Sequence, residues 1–396
     1  MSDTIDLIEW IIGSGLSGKA LEEIVGTLSK RLIKLGFPLV RVSIAMPSID
    51  PLQRGFSVSW SKYSPVATEV QGHDDAGEDM FVRSPIYYLL SNDLLHGRWR
   101  LAEDDTSSFP LLRELSDLGA TDYVIKLVAF PGGTALAGVG FSIAVDGSEG
   151  FNDQQVAIIE KIMPALALVC FQIAAMRVAT DMLAVYTGAR TSGRILSGQT
   201  RRGDGTAIYA AILLADLKNF TSLNERWPAE RIVAWLNEHF EAVAQSVEQN
   251  GGEILKFMGD SLLAIFPADV EDPADACRRA LSAATGAMDA TVTLNQARYH
   301  SDQPEIPIDI VLHVGEVFYG NVGAARRLDF TVVGRAVNEA ARIEKLADDV
   351  GHSLLASADF VAQCPDCFHK VGNFALKGVA EPASVFAWGP PTFERE

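Results

Sequence analysis

Nine apolar residues in a row, Ala207 to Ala215, end on a carboxylate, Asp216, and the segment Leu217-Lys218-Asn219-Phe220-Thr221 follows at once. A run of this kind reads as a buried strand. Its charged last residue has to sit at the end of the strand, where the sheet meets solvent. Forty-four residues further on, Asp260 lies in Lys256-Phe257-Met258-Gly259-Asp260-Ser261, between two short apolar runs, which is the pattern of a hairpin tip. Carboxylates so placed can meet across neighbouring strands. Two such oxygens can clamp divalent cations, as nucleotidyl and phosphoryl transfer require.

Around this pair the pattern reads as strand 207–216, helix 221–249, strand 253–258, strand 261–266, helix 272–298, strand 308–316, strand 328–333 and helix 336–347, then shorter elements. Strand-helix-strand-strand-helix-strand is the ferredoxin-like order, so 206–388 is expected to be one α+β domain. Residues 186–205, rich in Gly, Ser, Thr and Arg, read as a linker, and 389–396 as a tail. Residues 1–152 read as a separate α/β unit. It has a helix over 6–34, strands 40–46 and 56–63, a loop at 71–78 and a helix over 84–95. Strands 123–130 and 135–145 are joined through Pro131-Gly132-Gly133. Asn152 or Asp153 caps a long helix over 153–185. Ile162, Leu166, Val169, Ile173, Met176, Thr180 and Leu183 form a heptad-like seam on it, with Pro164 near its start. Such a seam pairs two copies in a parallel coiled coil or packs on its own domain, and the sequence leaves both open.

Composition removes several classes of function. A chain of 396 residues holds about two or three domains. A formal charge of -18 argues against nonspecific binding to nucleic acid or to an anionic membrane, both of which want a basic face. The N-terminus lacks the pattern of a signal peptide. The uncharged stretch Ile162 to Met176 on the long helix is 15 residues, whereas a membrane span needs roughly 20, so no span is expected. Four cysteines do not make a disulfide framework. The expected setting is reduced and cytoplasmic.

A third motif runs Leu328-Asp329-Phe330-Thr331-Val332-Val333-Gly334-Arg335-Ala336-Val337-Asn338-Glu339-Ala340-Ala341-Arg342. It sets Asn338 and Arg342 four apart, on one helix face. With these motifs in this order, residues 206–388 resemble the catalytic domain of the class III adenylate and guanylate cyclases. The resemblance implies that Asp216 and Asp260 hold two magnesium or manganese ions. It implies that Asn338 orients a ribose, Arg342 stabilises charge on the transferring phosphate, and Lys377 meets the triphosphate. Asn219, Phe220 and Thr221 open the helix after Asp216, where free backbone amides suit phosphate oxygens. Lys256 and Thr331 fall at the family's purine-selecting positions. A lysine donates to adenine N1 and a hydroxyl accepts from the N6 amine, so the pair favours ATP, where a glutamate in place of Lys256 would suit guanine. Lys218, Asn219 and Arg335 depart from the usual family residues, which are often Arg, Gly and Asp.

The resemblance also implies a homodimer with shared sites. Asp216 and Asp260 come from one chain, and Lys256, Thr331, Asn338, Arg342 and Lys377 from the other. The expected activity is conversion of ATP to cyclic AMP and pyrophosphate. The alternatives are a guanylate cyclase, or a silent signalling dimer that senses a ligand. The N-terminal unit resembles a GAF-type sensor in element order, which implies a small-molecule effector or a dimerising role. Cys364-Pro365-Asp366-Cys367 is a lone CxxC with His369 nearby and reads as free thiols. His313 reads as a packed strand residue, and His73, His96, His239, His300 and His352 show no ligand spacing.

Overall fold

The structure is a computed structural model and describes residues 2–48, 53–72, 74–104, 106–132, 136–365, 367–377 and 381–389. Gly133 of the expected hairpin, Gly378 after Lys377, and the tail from residue 390 lie outside the described residues. The chain divides into two compact units, Met1–Met182 and Leu183–Glu396.

The first unit is built from α1 (Ser2–Leu16), α2 (Leu21–Lys34), β1 (Leu39–Pro47), β2 (Gln53–Ser61), β3 (Ala67–Gly72), α3 (Asp75–Val82), α4 (Pro85–Ser91), β4 (His96–Arg100), α5 (Pro110–Asp117), β5 (Asp122–Ala129), β6 (Gly138–Val145) and α6 (Asp153–Thr187), which continues past the unit boundary. Its sheet is antiparallel, in the order β3-β2-β1-β6-β5-β4. The single helix expected over 6–34 is two helices, because Gly18 at φ +68° breaks the run. The expected 71–78 loop instead holds the end of β3 and the first half of α3, whose N-terminus Asp74 caps by accepting from Gly77 N. The cap signal was present in the sequence, and the acidic composition masked it.

Along α6, Ile162, Leu166 and Val169 are buried in this unit's core with Ile24, Leu28 and Phe141. The first half of the heptad-like seam therefore packs on its own domain, whereas Met176 is exposed. Helix α6 is long and apolar enough to cross a membrane by length and composition, and half of its most apolar stretch is buried.

The first element wholly within the second unit is α7 (Ala189–Leu196), inside the segment expected to be a linker. Thr191 and Ser192 of α7 are buried, and Arg194 stacks over Tyr319 at 4.7 Å. The low apolar content of 186–205 hid a helix that packs through hydroxyls and a guanidinium face rather than through aliphatic side chains. The remaining elements are β7 (Gly205–Leu217), α8 (Phe220–Arg226), α9 (Ala229–Gln249), β8 (Glu253–Met258), β9 (Ser261–Ala268), α10 (Ala274–His300), β10 (Ile308–Ala324), β11 (Arg327–Val333), α11 (Arg335–Glu344), α12 (Ala347–Val350), β12 (Leu354–Ser357), α13 (Ala358–Gln363), β13 (Phe368–Phe374) and β14 (Ala383–Trp388).

The sheet order is β13-β14-β12-β10-β7-β9-β8, with β11 paired to β10. The segment β8-β9-β7-β10 is the ferredoxin-like core, and the α+β expectation holds. Strand β7 is central and buried from Ala210 to Ala215. One face of the sheet packs Leu213, Leu312 and Val314 with alanines of α10, and the other packs Ile212, Leu214 and Val311 with α11. The helix expected over 221–249 is broken. Trp227 is extended (φ −124°, ψ 149°), as the residue before Pro228 is required to be, so α8 ends and α9 starts anew.

Candidate active site

Strand β7 runs out of its buried stretch at Asp216, which is half-buried at the sheet end. The β8–β9 hairpin turns through Gly259-Asp260, flanked by the paired residues Met258 and Ser261. Gly259 takes φ +70°, the positive φ that the first central position of a type II′ turn demands. That turn places Asp260 at the tip, next to β7, and Ser261 Oγ donates to Asp216 Oδ1. The two carboxylates feel each other. The Asp260 carboxyl is raised above its ordinary pKa by burial first and by the charge of Asp216 second.

Two further acids surround the pair. Asp309 is the register partner of Asp216 on β10; it is buried and held by Lys218 at 2.9 Å. Glu344, at the end of α11, is pushed up to about 7 by burial and then by the field of Asp216, with smaller contributions from Asp309 and Asp260. Hard carboxylate and hydroxyl oxygens gathered at one end of a sheet fit Mg²⁺ or Mn²⁺. Asp216 and Asp260 are the residues that would hold the ions. The sequence reading missed Ser261, Asp309 and Glu344. Ser261 was legible as the hairpin neighbour of Asp260. The other two depend on register and helix packing that no local pattern reveals.

Asn219 sits in the left-handed region (φ 59°, ψ 21°) as the residue before α8. Asparagine is the side chain that best tolerates this geometry apart from glycine, which accounts for the departure at that position. No side chain caps α8. Thr221 is exposed within the first turn, while the Phe220 ring packs on Leu217, Ile232, Trp235 and Ile306. Phe220 can therefore offer only its backbone toward a ligand.

The second constellation lies on β8, β11 and α11. Lys256 forms an ion pair with Asp329, two residues from Thr331 on β11 and so on the same face of that strand. The structure thus sets Lys256 against Asp329, on the strand face that also carries Thr331. Thr331 is buried at 7% exposure. Asn338 is exposed and Arg342 half-buried on α11, and Lys377 is exposed beyond β13. Arg335 is 82% exposed and pairs with Glu339 at 2.7 Å. His313 of β10, expected to be a packed strand residue, is buried.

The ferredoxin-like sheet thus carries acids at a strand end and at a hairpin tip, a lysine ion-paired to the strand of Thr331, and a helix bearing Asn338 and Arg342. Residues 207–381 match the family model of the adenylate and guanylate cyclase catalytic domain, and this unit belongs to that class III family. Adenylate cyclase 1 of Rhizobium meliloti (strain 1021) is 34% identical over 179 residues, 44% of this chain and 26% of its own length. The adenylate cyclase of Anabaena cylindrica is 33% identical over 184 residues, 44% of this chain and 36% of its own. The chain thus spans about a quarter to a third of these curated relatives. Among solved structures, the guanylyl cyclase Cya2 is 29% identical with a TM-score of 0.42, covering 48% of this chain and 95% of its own. A bacterial light-regulated adenylyl cyclase is 22% identical with a TM-score of 0.47, covering 67% and 85%.

Proposed function

We propose that the protein is a cytoplasmic adenylate cyclase that converts ATP to 3′,5′-cyclic AMP and pyrophosphate as a homodimer. The observation that carries this reading is the pairing of Asp216 with Asp260 in a family-matched domain that also holds Lys256 ion-paired to Asp329, two residues before Thr331, and Asn338 and Arg342 on one helix. Two relatives named as adenylate cyclases are each similar over 44% of the chain.

Two divalent ions on Asp216 and Asp260 would lower the pKa of the ribose 3′-hydroxyl and neutralise phosphate charge. The residues of the chain do the rest. The Lys256 ammonium donates to adenine N1 and the Thr331 hydroxyl accepts from the N6 amine, so a guanine meets a donor where it needs an acceptor. Engaging the base requires Lys256 to leave Asp329, an exchange made easy by the 54% exposure of that carboxylate. Asn338 orients the ribose so that its 3′-oxygen faces the α-phosphorus, which turns the attack into an intramolecular step. Arg342 offers fixed donors to the charge that builds as the new P–O bond forms and the bond to pyrophosphate breaks. Lys377 and the exposed first turn of α8 hold the triphosphate. Asp216 and Asp260 of one protomer complete a site with the other five residues of its partner, so a symmetric dimer carries two sites. The N-terminal unit acts as a GAF-like sensor. Its six-stranded antiparallel sheet with flanking helices supports that reading.

The test is cyclic nucleotide output from the purified chain, supplied with ATP or GTP and Mg²⁺ or Mn²⁺, beside an Asp260→Ala control. Cyclic AMP from ATP, absent in the control, is the expected result. Cyclic GMP as the main product would replace ATP by GTP, and equal output from the control would sink the cyclase reading.

A further inference from the structure

A second group of metal-ligating side chains lies apart from the Asp216–Asp260 pair. His313 on β10, Glu339 on α11 and Asp359 on α13 each offer one ligand atom, and the three atoms lie within 4.8 Å of one another. The His313 ring is 97% buried, since its exposure is 3%. Its Nδ1 lies 2.8 Å from Ser357 Oγ, which also accepts the Phe360 backbone N–H as the cap of α13. Its Nε2 faces Glu339 Oε2 at 3.6 Å, too far for a hydrogen bond. In the tautomer in which Nδ1 carries the proton and donates it to Ser357, Nε2 presents a bare lone pair toward the carboxylates. An imidazole oriented through one nitrogen and open at the other is the arrangement of a metal-bound histidine. Gly315, two residues along the same face of β10, keeps that side open, because a Cβ there would stand 3.5 Å from Nε2.

We propose that His313, Glu339 and Asp359 bind a divalent transition ion of the zinc class at a site separate from the catalytic carboxylates. One imidazole and two carboxylates suit Zn²⁺ or Co²⁺ and are a poor set for Mg²⁺, which takes oxygen ligands and keeps its water. Bonds of about 2.0–2.2 Å set tetrahedral ligand atoms about 3.4 Å apart, so the three side chains close by about an ångström around the ion and water fills the fourth position. Arg335 does not block the site. It uses Glu339 Oε1, leaving Oε2 on the side of Nε2, and it is largely in solvent. The site would tie α11 to β10 and α13 at the residue that follows Asn338. A bound ion would thereby fix the helix that presents Asn338 and Arg342.

The experiment measures metal, not turnover, so it stands apart from the cyclase reading. The full chain is prepared with Asp216→Ala, Asp260→Ala, Cys364→Ser and Cys367→Ser, so that zinc held by those two acids or by the CxxC thiols does not count. It is dialysed against Zn²⁺ and its metal content measured by plasma mass spectrometry. Co²⁺ is then used to read ligand type by visible absorption. One zinc per chain is expected, with affinity falling about tenfold or more on His313→Gln and again on Glu339→Gln. Glu339 is only partly buried and is not in the apolar core, so Glu339→Gln reports on the site even if His313→Gln fails to fold by circular dichroism. Absence of zinc uptake by the background chain overturns the proposal, as does uptake that is equal in the Glu339→Gln chain.

Discussion

His239 offers the sharpest test of how this domain is packed. Helix α9 buries Ile232, Trp235, His239, Val243 and Val247 along one stripe, so an imidazole occupies a position where the spacing calls for an aliphatic side chain. It is 1% exposed and neither ring nitrogen has a well-formed hydrogen bond. Burial pushes its pKa down from 6.5 to about 4, against a small opposing pull from the Asp260 backbone. The sign follows from linkage. Above pH 6.5 the ring is neutral in both folded and unfolded chains and pH has no effect through it. Below that, the unfolded chain takes up a proton that the folded one refuses, and stability falls until the folded pKa is reached. With 1.36 kcal/mol per unit of pKa, the loss is about 2 kcal/mol at pH 5 and about 3 kcal/mol at pH 4. Hydrogen exchange of the α9 amides at pH 7 and pH 5, compared between the natural chain and His239→Gln, isolates this group, because all other titrations cancel in the comparison. The opening free energy of the natural chain should drop by about 2 kcal/mol more than that of the variant. Equal drops in the two chains would mean that His239 is hydrated or paired, and the dry stripe would be refuted.

Four other outcomes follow from the site. Asp216→Ala should retain the fold and lose about a thousandfold in kcat for cyclic AMP formation, since the ions it would hold supply several kcal/mol of charge stabilisation; circular dichroism beside the assay separates the two effects. Lys256→Glu places a second carboxylate against Asp329 and removes the adenine donor, so kcat/KM for ATP should fall about tenfold to a hundredfold, while that for GTP falls less or rises. Glu344→Gln removes one of the acids that shape the field around Asp216 and should raise the Mg²⁺ concentration for half-maximal rate by about tenfold, with kcat less affected. Asn219→Val forces a β-branched residue into φ 59° and should cost about 1–2 kcal/mol in thermal unfolding, whereas Asn219→Gly should be close to neutral.

The parts of the domain that were legible in the sequence are those with local causes. An apolar run ending on Asp216, a Gly259-Asp260 turn and a four-residue spacing between Asn338 and Arg342 each specify their own geometry, and β7, the β8–β9 hairpin and α11 lie where those patterns put them. The break at Pro228 was equally local and was overrun by the length of the apolar periodicity on either side. What no local pattern carried is register. That β10 sets Asp309 opposite Asp216, that β11 folds back to bring Asp329 to Lys256, and that α11 ends near Asp216 and Asp260 all depend on which strands pair. Helix α7 was lost for a different reason. Its stable contacts are Thr191 with the buried Glu253 and Tyr319, and Arg194 over the Tyr319 ring, and a scan for apolar anchors does not register polar packing of that kind.

Three departures from the usual family residues stand close to the chemistry, and the structure gives each a local partner or a tolerated geometry. Lys218 is turned from the ligand side to the buried Asp309, which would otherwise be an uncompensated charge beneath Asp216. Asn219 adopts the left-handed turn that a glycine would otherwise supply. Arg335 pairs with Glu339 on the first turn of α11 rather than reaching toward Asp216 or Asp260. None of the three removes a donor or acceptor from the pairs Asp216–Asp260, Lys256–Thr331 or Asn338–Arg342. Two of them place a cation beside an acid that belongs to the same unit. The departures therefore bear on how the acids around the site are balanced, and their measurable effect should fall on metal affinity and stability rather than on which purine is chosen.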